Sequence, residues 1–177
     1  MDIRQIKAIA FDADDTLWEN ETLFREAEDR FCELMRPFLT KDECQKALFD
    51  IEMKNITLYG YGIKPFGLSL IEAAIFLSQG SASNALIKEI LLIVKNMLIA
   101  DNPLLPHVRE VLSYLSQNYR LVVSTKGDLL DQERKLERSG LTQFFHHIEV
   151  MSNKKPENYR KLVRHLDIEP TDFLMVG

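Results

Sequence analysis

Asp12, Asp14 and Asp15 stand within four positions, directly after the short run Lys7-Ala8-Ile9-Ala10-Phe11. Three carboxylates so close repel one another, and gathering them is costly unless a cation offsets their charge. A hard divalent cation such as Mg²⁺ takes oxygen ligands and often pairs with a substrate phosphate. Asp12 and Asp14 are two apart, so an extended chain would point both side chains to one face. In such a pair one carboxylate can act as a metal-bound nucleophile and the other as general acid and base. An acidic turn that opens a helix at Thr16 would leave the same string, because short motifs also arise by chance.

An apolar run that ends in acids reads as a buried strand of a parallel sheet, with chemistry at its carboxyl end. From Asn20 to Ala100 the periodicity turns helical. Leu23, Ala27, Phe31 and Leu34 mark a first helix that Pro37 stops. Thr40 and Glu43 form a capping-box signature for a second helix, and Ser69 with Glu72 predicts the start of a third, ending near Gly80. Ala85, Leu86, Ile90, Val94 and Leu98 mark a fourth. Beyond Asp101-Asn102-Pro103, strands and helices alternate. Pro106 suits the first turn of a helix carrying Val108, Val111, Leu112 and Leu115. Leu121-Val122-Val123 reads as a strand closed by Ser124-Thr125-Lys126-Gly127. Asp128 caps a helix to Ser139 that Gly140 ends. Ile148–Met151 is a third strand, Pro156–Leu166 a helix, and Phe173–Val176 a fourth strand. Without the helical stretch the order is β-α-β-α-β-α-β. The expectation is an α/β fold, a Rossmann-like doubly wound parallel sheet built from residues 1–17 and 101–177. Residues 18–100 form an inserted helical domain.

The chain has 177 residues and a net charge of −5, from 27 acids and 22 bases. Such a balance gives no electrostatic reason to bind nucleic acid or an anionic membrane, so any anion must be held by local groups. Cys32 and Cys44 are too few for a disulfide scaffold and read as small apolar residues in a reducing compartment. Met1 to Ile9 lacks the apolar run of a signal peptide, and Leu86–Ala100 is interrupted by Lys88, Glu89 and Lys95. A soluble cytoplasmic protein is expected, monomeric or homodimeric. His107, His146, His147 and His165 show no spacing that reads as zinc ligation, and His146-His147 reads as surface loop. Trp18 reads as core or cap–core packing rather than a substrate platform.

The string Phe11-Asp12-Ala13-Asp14-Asp15-Thr16-Leu17 resembles the first motif of the haloacid dehalogenase superfamily, Asp-x-Asp-x-Thr. Leu121 to Thr125 resembles its second motif, Asn153-Lys154-Lys155-Pro156 its third, and Phe173 to Gly177 the lead-in to its fourth. The resemblance covers essentially the whole chain and implies the following roles. Asp12 is the nucleophile that forms an aspartyl-phosphate. Asp14 protonates the leaving oxygen and then activates water, and its main-chain carbonyl joins Asp12 in binding Mg²⁺. Thr125 hydrogen-bonds the phosphoryl oxygens, and Lys154 or Lys155 offsets the charge of nucleophile and phosphate. Thr16 and Lys126 are further candidates for substrate contact. The helical insertion resembles the superfamily's cap. Within it, Leu58 to Pro65 is the candidate specificity element, with Tyr59, Tyr61 and Lys64 as substrate-binding side chains.

Asp14 separates subclasses, since halide leaves without a proton and an alkoxide does not. The implied activity is a phosphatase acting on a small phosphorylated metabolite. A phosphotransferase or mutase using the same aspartyl-phosphate is the nearest alternative, and a non-catalytic binding protein keeping the fold is a second. A signalling receiver domain is disfavoured, because it carries no large helical insertion after its first strand. Asp15 stands where Gly is common in the superfamily, and Lys126 where Asn or Gly is frequent. The fourth motif supplies a metal-binding acid beyond the Gly that aligns with Gly177, so the sequence is expected to be part of a longer protein and, alone, to bind metal poorly.

Overall fold

The computed structural model describes residues 5–177. Residues 1–4, part of the predicted core segment 1–17 and of the stretch Met1–Ile9 discussed above, lie outside the described residues. The elements run β1 (Ala8–Phe11), α1 (Glu21–Met35), α2 (Lys41–Tyr59), α3 (Ile63–Leu77), α4 (Asn84–Ile99), α5 (Val108–Leu115), β2 (Arg120–Lys126), α6 (Leu129–Ser139), β3 (His147–Met151), α7 (Pro156–His165) and β4 (Phe173–Val176). The chain divides into two compact units, Met1–Asn20 with Asp101–Gly177, and Glu21–Ala100.

In the first unit the four strands form one parallel sheet in the order β3-β2-β1-β4. β1 is buried along its whole length, and its alternation divides the core in two. Ile9 and Phe11 pack with Leu121, Val123, Leu112 and Leu136, whereas Ala8 and Ala10 pack with Val122, Met151 and Leu162. Such two-sided burial is what a central parallel strand requires. Phe11 pairs with both Val123 and Val176, so β1, β2 and β4 reach a common level just before Asp12. The unit extends to Asn20, not Leu17. Trp18 is fully buried in its core, and the Asn20 side chain accepts a hydrogen bond from Lys135.

β2 continues through Ser124-Thr125-Lys126, the residues expected to close it, and pairs there with Glu149, Val150 and Met151. Ser124 and Thr125 are buried and hydrogen-bonded, so their hydroxyls do not end the strand. α5 begins at Val108 and not at Pro106, because His107 takes a left-handed conformation (φ 64°) that interrupts the turn. His147, expected in a loop, is the first residue of β3.

The second unit holds α1 to α4 around a core of Phe31, Met35, Leu48, Ile63, Leu70 and Ile90, with the free thiols of Cys32 and Cys44 inside it. Thr40 and Glu43 form the expected reciprocal cap of α2. α3 starts at Ile63, six residues before the predicted cap at Ser69. Pro65 lies in its first turn, where proline costs no hydrogen bond. Ser69 instead donates to the Pro65 carbonyl from mid-helix, while Glu72 accepts from Asn55 and Tyr59. The connection between α2 and α3 therefore shrinks to Gly60-Tyr61-Gly62. Both glycines hold positive φ (80° and 117°), which tightens the turn at no steric cost. No helix among the described residues is long and apolar enough to cross a membrane.

Candidate active site

Asp12 follows the last residue of β1, and its main-chain N–H donates to Val176 at 2.9 Å, which ties it to the end of β4. Its carboxylate is engaged at both oxygens. Oδ1 accepts the Ala13 N–H at 2.8 Å, and Oδ2 faces Lys154 Nζ at 2.5 Å. Both side chains are about a quarter exposed or less, so this ion pair is only partly screened by water. Lys155, the other candidate, is exposed and serves as the N-cap residue of α7. Thr16 is close by, since a Cβ placed on Gly177 would lie 2.6 Å from Asp12 Cβ and 2.9 Å from Thr16 Oγ1.

The Asp14 carboxylate is held by other groups than that of Asp12. The chain turns after Ala13, and the Asp14 carboxylate collects three donors: Trp18 Nε1 (2.9 Å), Lys135 Nζ (3.0 Å) and Gln132 Nε2 (2.8 Å). Lys135 also lies 3.6 Å from Asp131, and both of those side chains are almost fully buried. Burial pushes the Asp131 carboxyl above its usual value, with the Asp14 and Asp128 charges adding to it and Lys135 opposing. Asp15 holds φ 57°, a left-handed conformation that Asp tolerates better than most residues, and its Oδ1 accepts the Asn20 N–H. That conformation is why Gly suits this position and why Asp can replace it.

Thr125 is buried near the end of β2 and donates to the Lys126 carbonyl at 3.3 Å. The same carbonyl accepts from Gln132, which joins the end of β2 to α6. Lys126 is partly buried as the last residue of β2. Tyr159, on α7, belongs to this neighbourhood: burial and the Asp12 charge push its phenol above the usual value, and the Ser124 hydroxyl offsets part of that.

The helical unit carries a pocket of about 130 Å³ lined by Phe24, Glu52, Tyr59, Tyr61, Phe66 and Ser69, among others. Tyr59 donates to Glu72 at 2.5 Å, and Tyr61 is 39% exposed. Lys64 is exposed on α3 and is not among the residues lining that pocket. Glu52 is the unexpected member. One of its oxygens is buried without a hydrogen-bond partner, and burial, aided by the charge of Glu28, raises its pKa to about 7.

The expected site residues thus fall into groups. Asp12, Thr16 and Lys154 come together, and Tyr59 and Tyr61 line one pocket. Asp14 is held by Trp18 and by Gln132 and Lys135 of α6, and Lys155 is exposed. Gln132, Lys135 and Tyr159 were not anticipated as site neighbours. No signal in the sequence marks them: along α6 the charged residues look solvent-facing, and only the structure shows Asp131, Gln132 and Lys135 on a buried face that apolar residues would normally fill.

A family description, haloacid dehalogenase-like hydrolase, matches residues 6–177. The chain is 26% identical over 188 residues to N-acylneuraminate-9-phosphatase of Rattus norvegicus, covering all of this chain and 76% of that protein. Among solved structures it is similar to a haloacid dehalogenase-like family hydrolase from Xanthomonas campestris. There the identity is 36% and the TM-score 0.92, across 98% of this chain and 73% of that one. A 2-haloacid dehalogenase from Pseudomonas syringae pv. Tomato shares the fold at 18% identity and TM-score 0.64, covering 97% of this chain and 77% of that one.

Proposed function

The chain belongs to the haloacid dehalogenase-like hydrolase family, and within it we propose a Mg²⁺-dependent phosphatase that hydrolyses a small phosphorylated metabolite through an aspartyl-phosphate. The observation that carries this reading is the Asp12–Lys154 pair at the end of a buried central strand. A carboxylate held in place by an ammonium can attack phosphorus, while the same ammonium offsets charge gathering on the phosphoryl oxygens. Asp14 supplies the second carboxyl, which an alkoxide leaving group needs and a halide does not. It takes up proton transfer by exchanging its Lys135 and Gln132 contacts for the leaving oxygen. Thr125 and Thr16 hold phosphoryl oxygens, and Lys126 adds positive charge nearby.

A hard cation fits the donors present, because the Asp12 carboxylate and the Asp14 main-chain carbonyl offer oxygen only. The Asp14 carboxylate, with its three donors, is not a ligand in this arrangement. When bound, Mg²⁺ would neutralise phosphate charge and orient the ester. Residues 21–100 act as the substrate-selecting cap, with Tyr59 and Tyr61 as its ligand-facing side chains. The similarity to an N-acylneuraminate-9-phosphatase supports an acidic sugar phosphate as the first ester to try. The reading places the protein in the cytoplasm.

The test is Mg²⁺-dependent phosphate release from p-nitrophenyl phosphate and a panel of sugar phosphates, comparing wild type with Asp12→Asn. Loss of at least about a thousandfold in the variant supports the assignment. Equal activity of the two proteins refutes it.

A further inference from the structure

Two histidines and a glutamate, far apart in the sequence except for His147 and Glu149, come together where the end of α7 meets β3. His147 and Glu149 are two apart on β3, so they share a face of the sheet. His165, the last residue of α7, meets them there. Its ring lies 4.9 Å from that of His147, centroid to centroid, at 61°. His147 Nε2 is 2.9 Å from Glu149 Oε2, and one ligand atom from each of the three residues lies within 4.8 Å of the others. The His147 and Glu149 side chains are each 31% exposed and His165 is exposed, so an ion could reach them without unfolding.

The chemistry of this set differs from that at Asp12. Two imidazole nitrogens, ligands of intermediate softness, beside one hard carboxylate oxygen suit zinc-class ions better than Mg²⁺. Tetrahedral coordination with bonds of roughly 2.0–2.2 Å sets ligand atoms about 3.3 Å apart. Rotations of three partly exposed side chains can close the remaining gap. The fourth position stays open to water. β3 is the outermost strand of the sheet among the described residues, and the ten residues of α7 span about 15 Å. That length of helix separates His165 from the loop carrying Lys154.

We propose that His147, Glu149 and His165 form a binding site for one zinc-class divalent ion, which fastens β3 to the carboxyl end of α7. The ion joins two elements that bracket the Lys154 loop, so it stabilises the support of that loop without entering the reaction.

Co²⁺ is the probe, titrated into the Asp12→Asn chain to remove the competing oxygen site. One equivalent should give visible absorption bands of four- or five-coordinate nitrogen–oxygen ligation, displaced stoichiometrically by Zn²⁺. At a hundredfold excess over Kd, Zn²⁺ should raise Tm by about 5 °C. His147→Gln and His165→Gln should each weaken Co²⁺ binding at least tenfold while keeping the metal-free Tm within about 2 °C. Absence of the bands up to millimolar Co²⁺ overturns the proposal. So does affinity that survives in both histidine variants.

Discussion

The ammonium of Lys154 lies 2.5 Å from Oδ2 of Asp12, so the loop before α7 is held against the end of β1. The adjacent Lys155 has no such role, being exposed and committed to the start of a helix by the proline that follows it. Lys154→Ala should therefore lower kcat/KM for a phosphate ester at least about a hundredfold. Lys155→Ala should stay within about threefold. Steady-state kinetics on the two variants checks this, and a reversed order would move the charge-offsetting role to Lys155.

Lys135 separates two carboxylates, those of Asp14 and Asp131, and is itself almost fully buried. Replacing it with Met would leave both acids facing each other without a cation. Removing one partner of such a buried group costs about 3 kcal/mol. Urea unfolding of Lys135→Met should show a loss near that size. The double variant Lys135→Met, Asp131→Asn should recover part of it, because one of the stranded charges is gone.

Glu52 gives the helical unit a pH dependence whose sign can be worked out. Its pKa rises from the usual 4.5 to about 7, so the folded chain holds a proton there that the unfolded chain releases. Stability then falls as pH climbs from about 4.5 to about 7, and is level outside that window. Glu52→Gln removes the effect. Thermal unfolding of both proteins should show the variant gaining on wild type across this range, by roughly 2 kcal/mol once solvent screening is allowed for. Parallel curves from pH 4 to 8 would contradict it.

Tyr61 lines the same pocket as Glu52 and leaves a large part of its ring exposed. If it grips substrate, Tyr61→Ala should raise KM about tenfold for the preferred ester and lower kcat far less, the mark of lost ground-state binding. A fall confined to kcat would speak against contact with the substrate.

β1 was legible because an acidic cluster closes its apolar run at Asp12, β4 because Phe173–Val176 is an unbroken apolar run, and the Thr40 cap because its two partners lie in one local segment. Ser69 and Glu72 carry the same spacing, yet they sit inside α3. The spacing cannot tell a helix start from a helix middle when Pro65 and Gly62 upstream already supply one. The choice between Lys154 and Lys155 was hidden for a different reason. It depends on which residue takes the extended N-cap conformation of α7, a matter of one position. The partners of Asp14 were hidden most deeply, because Gln132 and Lys135 on an isolated helix look like ordinary solvent-facing residues. Only the folded α6 shows that their polarity is turned inward, and only the meeting of β3 with the end of α7 brings His147, Glu149 and His165 together.

β1 lies between β2 and β4, and both of those partners come from beyond residue 119. During synthesis, the apolar segment Ala8–Phe11 leaves the ribosome long before either neighbour exists. The four helices of residues 21–100 can meanwhile settle through contacts that are short in sequence. Closing the sheet must then bring together segments more than a hundred residues apart, the kind of pairing that slows folding. A chain that stopped at residue 100 would hold all four helices of the second unit yet leave Ala8–Phe11 without either of its strand partners.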